Sequence, residues 1–330
     1  MARHRPGRAH RPGGLRLHGG GPIEEIGPGP VLDAITGWVL FAAILGSIGA
    51  VALRWAVLPW IHLKGYPSDT GKALVEGAAR FGSYVALFVP LAFLLVFTRQ
   101  LLEFRDPFVP WTEDAHLLLT GTSWGRTFIF FGALGVAVGP AFRLARRHPA
   151  WGWALVTAMV LALGAFPALT GHASAGEGVG RALTLGLDVL HVWAAGAWIG
   201  GLAGVLFLDT TMRRRDDTGP RVLPALIPAF STLAIAGVGT LVVTGTAASW
   251  IHLPRLSALL SEPYGRTLLI KLTAVGLVLG LGWLNWKRLT PRLARPSGAD
   301  TLYRGATLEL VVAQLVLLVT AVLVRTPPNG

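Results

Sequence analysis

The sequence predicts an all-α, polytopic membrane protein of about eight transmembrane helices, on three observations. Apolar residues make up 52% of the chain and charged residues only 14%. The apolar residues fall in blocks of about 20, the length a helix needs to cross the hydrocarbon core. Lipid offers no partners for backbone N–H and C=O groups, so such blocks fold as helices, and none shows the short alternation of a membrane strand.

Taken in order, the blocks are 35–58, 77–98, 125–142, 151–170, 184–208, 228–250, 267–286 and 305–324. The linkers between them hold most of the cations, and Trp111, Trp124, Trp151, Trp153, Trp250 and Trp286 fall near block ends, as an interfacial aromatic belt would. Arg54 and Arg80 read as anchors at the inner ends of the first two helices, and Arg99 falls in the outer segment after the second. Ahead of the blocks, residues 1–30 form a basic tail rich in Gly, Pro and Arg, expected to be disordered. Residues 31–150 form a first membrane half (helices one to three), and 151–330 a second membrane domain (helices four to eight).

The net charge of +12 does not indicate nucleic acid, because the basic residues sit in the linkers, where the positive-inside rule accounts for them. With both termini outside, the inner loops carry 14 Lys and Arg, against 7 outside, or 12 with the tail. The absence of cysteine excludes disulfides, thiolate metal sites and thiol redox chemistry. There is no phosphate loop, nucleophile elbow or His-Glu-x-x-His, and the segments between helices are too short for a catalytic domain, so the chain does not read as an enzyme.

The fifth block holds the most informative residues. Asp188 and His191 lie three apart, on one face of a membrane helix and about two turns below its outer end. Ionisable groups at that depth are costly and mark functional sites by default. Their stripe continues through Ala195 to Trp198, while Gly196, Gly200 and Gly204 form a small-residue ladder on nearly the opposite side, suited to close helix packing. His172 closes the fourth helix and His252 the sixth on the same side, and His116 lies in the outer loop between helices two and three. Imidazole with carboxylate suits copper, zinc, iron or nickel, although a histidine near a helix end also fits a plain interfacial role. Lys271, about one turn inside the seventh helix, reads as a snorkelling lysine. Glu309 opens the eighth from the inner side, where the helix dipole favours an acid. Met159 is mid-span in helix four.

An internal repeat is also expected. Leu32-Asp33, Trp38 and Gly46 match Leu187-Asp188, Trp193 and Gly201 in spacing, and Ser123-Trp124-Gly125-Arg126-Thr127 is echoed by Pro263-Tyr264-Gly265-Arg266-Thr267. Helices one to three thus pair with five to seven in the same orientation, with Thr36 in the place of His191.

The run Gly171-His172, then Leu190-His191-Val192-Trp193-Ala194-Ala195-Gly196-Ala197-Trp198-Ile199-Gly200-Gly201, resembles the copper resistance D (CopD) family of bacterial inner-membrane proteins. Further matches follow at Thr244-Gly245 with Ser249, at Tyr264-Gly265-Arg266-Thr267-Leu268-Leu269-Ile270-Lys271, at Asn285 with Lys287-Arg288 and Pro291, and at Glu309 with Pro327-Pro328. The resemblance implies eight spans and copper handling across the inner membrane, with His172 and His191 as copper ligands. It makes copper, in an unspecified oxidation state, the expected ion. The expected partners are membrane lipid, the copper ion and a periplasmic copper-binding protein. The expected metal set is His191, His172, Asp188 and His252, with Lys271, Met159 and His116 on the pathway. Two alternatives stay open: a haem-binding electron-transfer protein with His191 as axial ligand, and a non-transporting copper-binding membrane subunit.

Overall fold

A computed structural model describes residues 29–170, 178–215, 221–252, 257–289 and 298–324. Among them, eight helices are long and apolar enough to span a bilayer: α1 (Val31–Trp60), α2 (Thr70–Phe104), α3 (Ser123–Arg147), α4 (Pro149–Thr170), α5 (Gly180–Arg215), α6 (Leu223–Ile251), α7 (Pro263–Arg288) and α8 (Gly298–Leu323). The fold is therefore all-α and polytopic. The basic tail through Pro28 lies outside the described residues.

Each apolar block is continued by polar or small residues that keep helical hydrogen bonding beyond the hydrocarbon, so the helices outrun the blocks. The most instructive extension is in α2, where Arg99 belongs to the helix itself and is 1% exposed. It lies between Asp33 of α1 and Glu103 one turn on, and pairs with both. The expectation that Arg99 sits in an outer loop is therefore corrected: two carboxylates allow a guanidinium to be buried where an unpaired one would be expelled.

The core is built on α1 and α5. A Cβ placed on Gly49 would come within 2.1 Å of the Gly200 carbonyl carbon, and one on Gly200 within 2.0 Å of the Leu45 oxygen. Only two glycines permit that approach. Gly196 faces Ile48 and Gly204 faces Leu53, so the numbering rises together along both helices and they run parallel. The seam continues into the buried set Ile44, Leu53, Leu74, Val205 and Leu208. At this crossing α5 widens into a π-helical turn at Gly196–Gly200, and α7 does the same at Asn285–Leu289. Such turns add a residue to one helical revolution and redirect the side chains that follow.

Candidate functional site

The Asp188–His191 stripe of α5 faces α6 and α7. His191 lies eleven residues from Gly180, about 16 Å along the helix, which is deeper than the two turns expected from the apolar block alone. Its Nδ1 is 2.8 Å from the hydroxyl of Thr244 on α6, and Gly245 leaves room beside the ring. Thr244 is itself 3% exposed, and its hydroxyl donates to the Thr240 carbonyl at 2.8 Å. A hydroxyl has one proton, so toward His191 it acts as acceptor and Nδ1 carries the imidazole hydrogen. The lone pair then belongs to Nε2, the arrangement of a metal-ligating histidine whose other nitrogen is held by a hydrogen bond.

From α7, Lys271 lies within electrostatic reach of both Asp188 and His191, and Tyr264 within reach of Asp188. Lys271 stands eight residues from Pro263, more than two turns into α7. It is thus deeper than the one turn expected from the apolar block, half-buried, with the Asp188 carboxylate of the neighbouring helix within electrostatic reach. The result is a polar cluster from three helices: Asp188 and His191 of α5, Thr244 of α6, and Lys271 and Tyr264 of α7.

The other sequence candidates are placed differently. His172 lies outside the described residues, as does the side chain of His252. His116 ends the short helix Trp111–His116, is exposed, and bonds only locally with Thr120. Met159 of α4 packs against the apolar core. Among the described residues no three His, Asp or Glu side chains gather as a metal cluster.

Two polar groups carry more than the sequence suggested. Glu309 does not open α8: the helix begins at Gly298, so the carboxylate lies about 16 Å along it and is 7% exposed. The dipole of a helix terminus does not extend that far. At the opposite end of α5 from His191, the fully buried Asp209 pairs with Arg221 and accepts from the backbone N–H of Leu223 at 3.1 Å. Arg221 also pairs with Asp300, and its carbonyl accepts from the Tyr66 hydroxyl at 2.8 Å. Burial, reinforced by Asp209, pushes the Tyr66 phenol above its ordinary pKa. The sequence signal for Asp209 is an acid directly after the apolar block of α5; its partner lies across a loop and is not legible from spacing.

These features define a polytopic helical membrane protein with a His-Asp-Lys cluster between α5, α6 and α7. Within that class, residues 224–323 match the family profile described as Copper resistance protein D. The chain is 29% identical over 221 residues to Copper resistance protein D of Pseudomonas syringae pv. tomato, covering 63% of this chain and 70% of that one. It is 27% identical over 208 residues to the Copper transport protein CutJ of Bacillus subtilis (strain 168), covering 63% of this chain and 37% of that one. Homology thus supports the copper resistance D assignment that the motifs suggest. The chain spans little more than a third of the CutJ protein. No solved structure matches it.

Proposed function

We propose that the protein moves copper across a bacterial inner membrane, taking it up at the Asp188–His191 cluster. The observation that carries this reading is an imidazole inside a membrane helix whose Nδ1 is held 2.8 Å from the Thr244 hydroxyl, which leaves Nε2 as the nitrogen to meet an ion. The names of the two relatives supply the ion; the residues themselves specify an imidazole and carboxylate site. His172 and His252 complete the ligand set, His116 and Met159 lie along the approach, and a periplasmic copper-binding protein delivers the ion. Both termini face outward in this reading, because the alternative puts most linker cations outside.

Lys271 has a definite role in this scheme. It balances Asp188 while the site is empty, and an arriving cation takes its place beside the carboxylate. The repeat of helices one to three in five to seven explains why the first copy, with Thr36 in place of His191, does not duplicate the site. Acidification weakens uptake, since a protonated imidazole has no lone pair for a metal. The test is copper accumulation in cells expressing His191→Ala at wild-type levels. Loss of accumulation is expected, and unchanged accumulation and tolerance would overturn the proposal. Copper binding by purified protein without movement into liposomes would assign a non-transporting subunit instead.

A further inference from the structure

Below His191 on the same stripe of α5, Trp198 lies seven residues on, about 10 Å deeper. It borders a cavity of about 310 Å³ between α5, α6, α7 and α8, walled mainly by apolar side chains such as Ile227, Phe230 and Leu279. The polar end of that cavity is Glu309. Asn285 Nδ2 donates to its Oε2 at 3.0 Å, and the Trp198 indole is a second side-chain donor. Both donors stand on π-helical turns, Trp198 in Gly196–Gly200 and Asn285 in Asn285–Leu289. Gly282 makes room for the head group, since a Cβ there would press to 3.2 Å on Oε1.

Among the described residues no cation pairs with Glu309. The groups that α5, α6 and α7 turn toward the cavity near it are the Trp198 indole, the Ser231 hydroxyl and the Asn285 amide, all neutral. On α7, Lys287 lies over the Trp283 ring at 4.7 Å and Arg288 is exposed, and on α8 itself Arg304 is exposed and Tyr303 bonds to Thr210. An acid at this depth, held by neutral donors beside a cavity, is placed to exchange a proton for a mobile cation.

We propose that Glu309 is a cation-exchange site, holding a proton when the cavity is empty of metal and releasing it to cavity water when a copper ion binds its carboxylate. One proton leaves the carboxyl for each site the metal occupies, and no bond other than O–H is broken. The proposal rests on the copper reading above and adds its means of coupling: inward metal movement is exchanged for a proton at mid-membrane.

A hydrophobic carbodiimide tests it. Such reagents add to protonated carboxyls inside membranes: the acid proton goes to a carbodiimide nitrogen, the carboxyl oxygen to the central carbon, and the adduct rearranges to a stable N-acylurea. Purified wild-type protein in lipid nanodiscs is treated with dicyclohexylcarbodiimide, and peptides are read by mass. Labelling at Glu309 is expected, falling several-fold when copper ions are present and again as pH is raised. It should be absent in Glu309→Gln, whose folding is checked by size exclusion. No label at Glu309, or a label indifferent to both copper and pH, overturns the proposal. Failure of the uptake reading looks different: copper accumulation survives His191→Ala while Glu309 labelling still responds to copper. Labelling that ignores copper, with accumulation lost in His191→Ala, removes the exchange site and leaves the uptake site standing.

Discussion

Asp33 of α1 and Asp188 of α5 are carboxylates on two parallel, packed helices, yet their surroundings differ. Asp33 meets Arg99, which reaches it from α2 and also holds Glu103. A guanidinium that never loses its charge is enclosed by two carboxylates, which makes a clamp between helices rather than a binding site. Asp188 meets a lysine and a tyrosine from α7, with an imidazole one turn along its own helix. Lysine is a compact charge on a flexible stem and is easily displaced, and imidazole offers a lone pair. The acid of α1 is thus held by fixed charges, whereas that of α5 faces groups that can change partners.

The largest effect expected from breaking this contrast is in the clamp. Arg99→Met leaves two carboxylates facing each other without their cation, and loss of one member of a buried ion pair costs about 3 kcal/mol or more. Thermal unfolding in detergent should show it, together with lower membrane abundance; an unchanged melting temperature would mean the clamp is not structural. Next comes Lys271→Met, which removes the cation from Asp188. The expected outcome is a copper site that binds metal more tightly and releases it more slowly, read as retained copper after dilution; unaltered release would remove lysine displacement from the mechanism.

Thr244→Val is a finer test. It keeps the side-chain volume and deletes the acceptor that orients His191 Nδ1. Losing such an outer partner typically weakens metal affinity about 10-fold or more, and copper titration of the purified variant should show this with little change in melting temperature. The smallest effect belongs to Thr36 of α1, which the proposed repeat sets in the place of His191. Its hydroxyl is buried and lacks a partner among the described residues. Thr36→Val should therefore be neutral or stabilise by up to about 1 kcal/mol, with copper accumulation unchanged. A drop in accumulation would show that the first half takes part in transport after all.

The eight helices were legible because a bilayer imposes a length and an apolar composition that any span must satisfy. Their ends were less so. The apolar count stops at Arg99, whereas the helix continues through it to Phe104, because the partners that make its burial tolerable lie 66 residues upstream and one turn on. Asp188 and His191 were legible as a pair on one face. That Thr244 and Lys271 meet them was not, since those contacts depend on how three helices are rotated. Glu309 was misread for the same reason: with α8 taken to begin at 305 it resembled an end residue, and only the start at Gly298 places it at mid-helix.

The glycine crossing of α1 and α5 has a mechanical consequence. Backbone rests on backbone at Gly49 and Gly200, so neither helix has a side chain there that can swing aside, and the two can only travel as one strut. By contrast, α7 carries Lys271 and Asn285 while burying just 11% of its most apolar stretch inside the protein. The strut is thus the rigid part of the bundle, and Lys271 and Asn285 of α7 face the carboxylates of two different neighbours, Asp188 on α5 and Glu309 on α8.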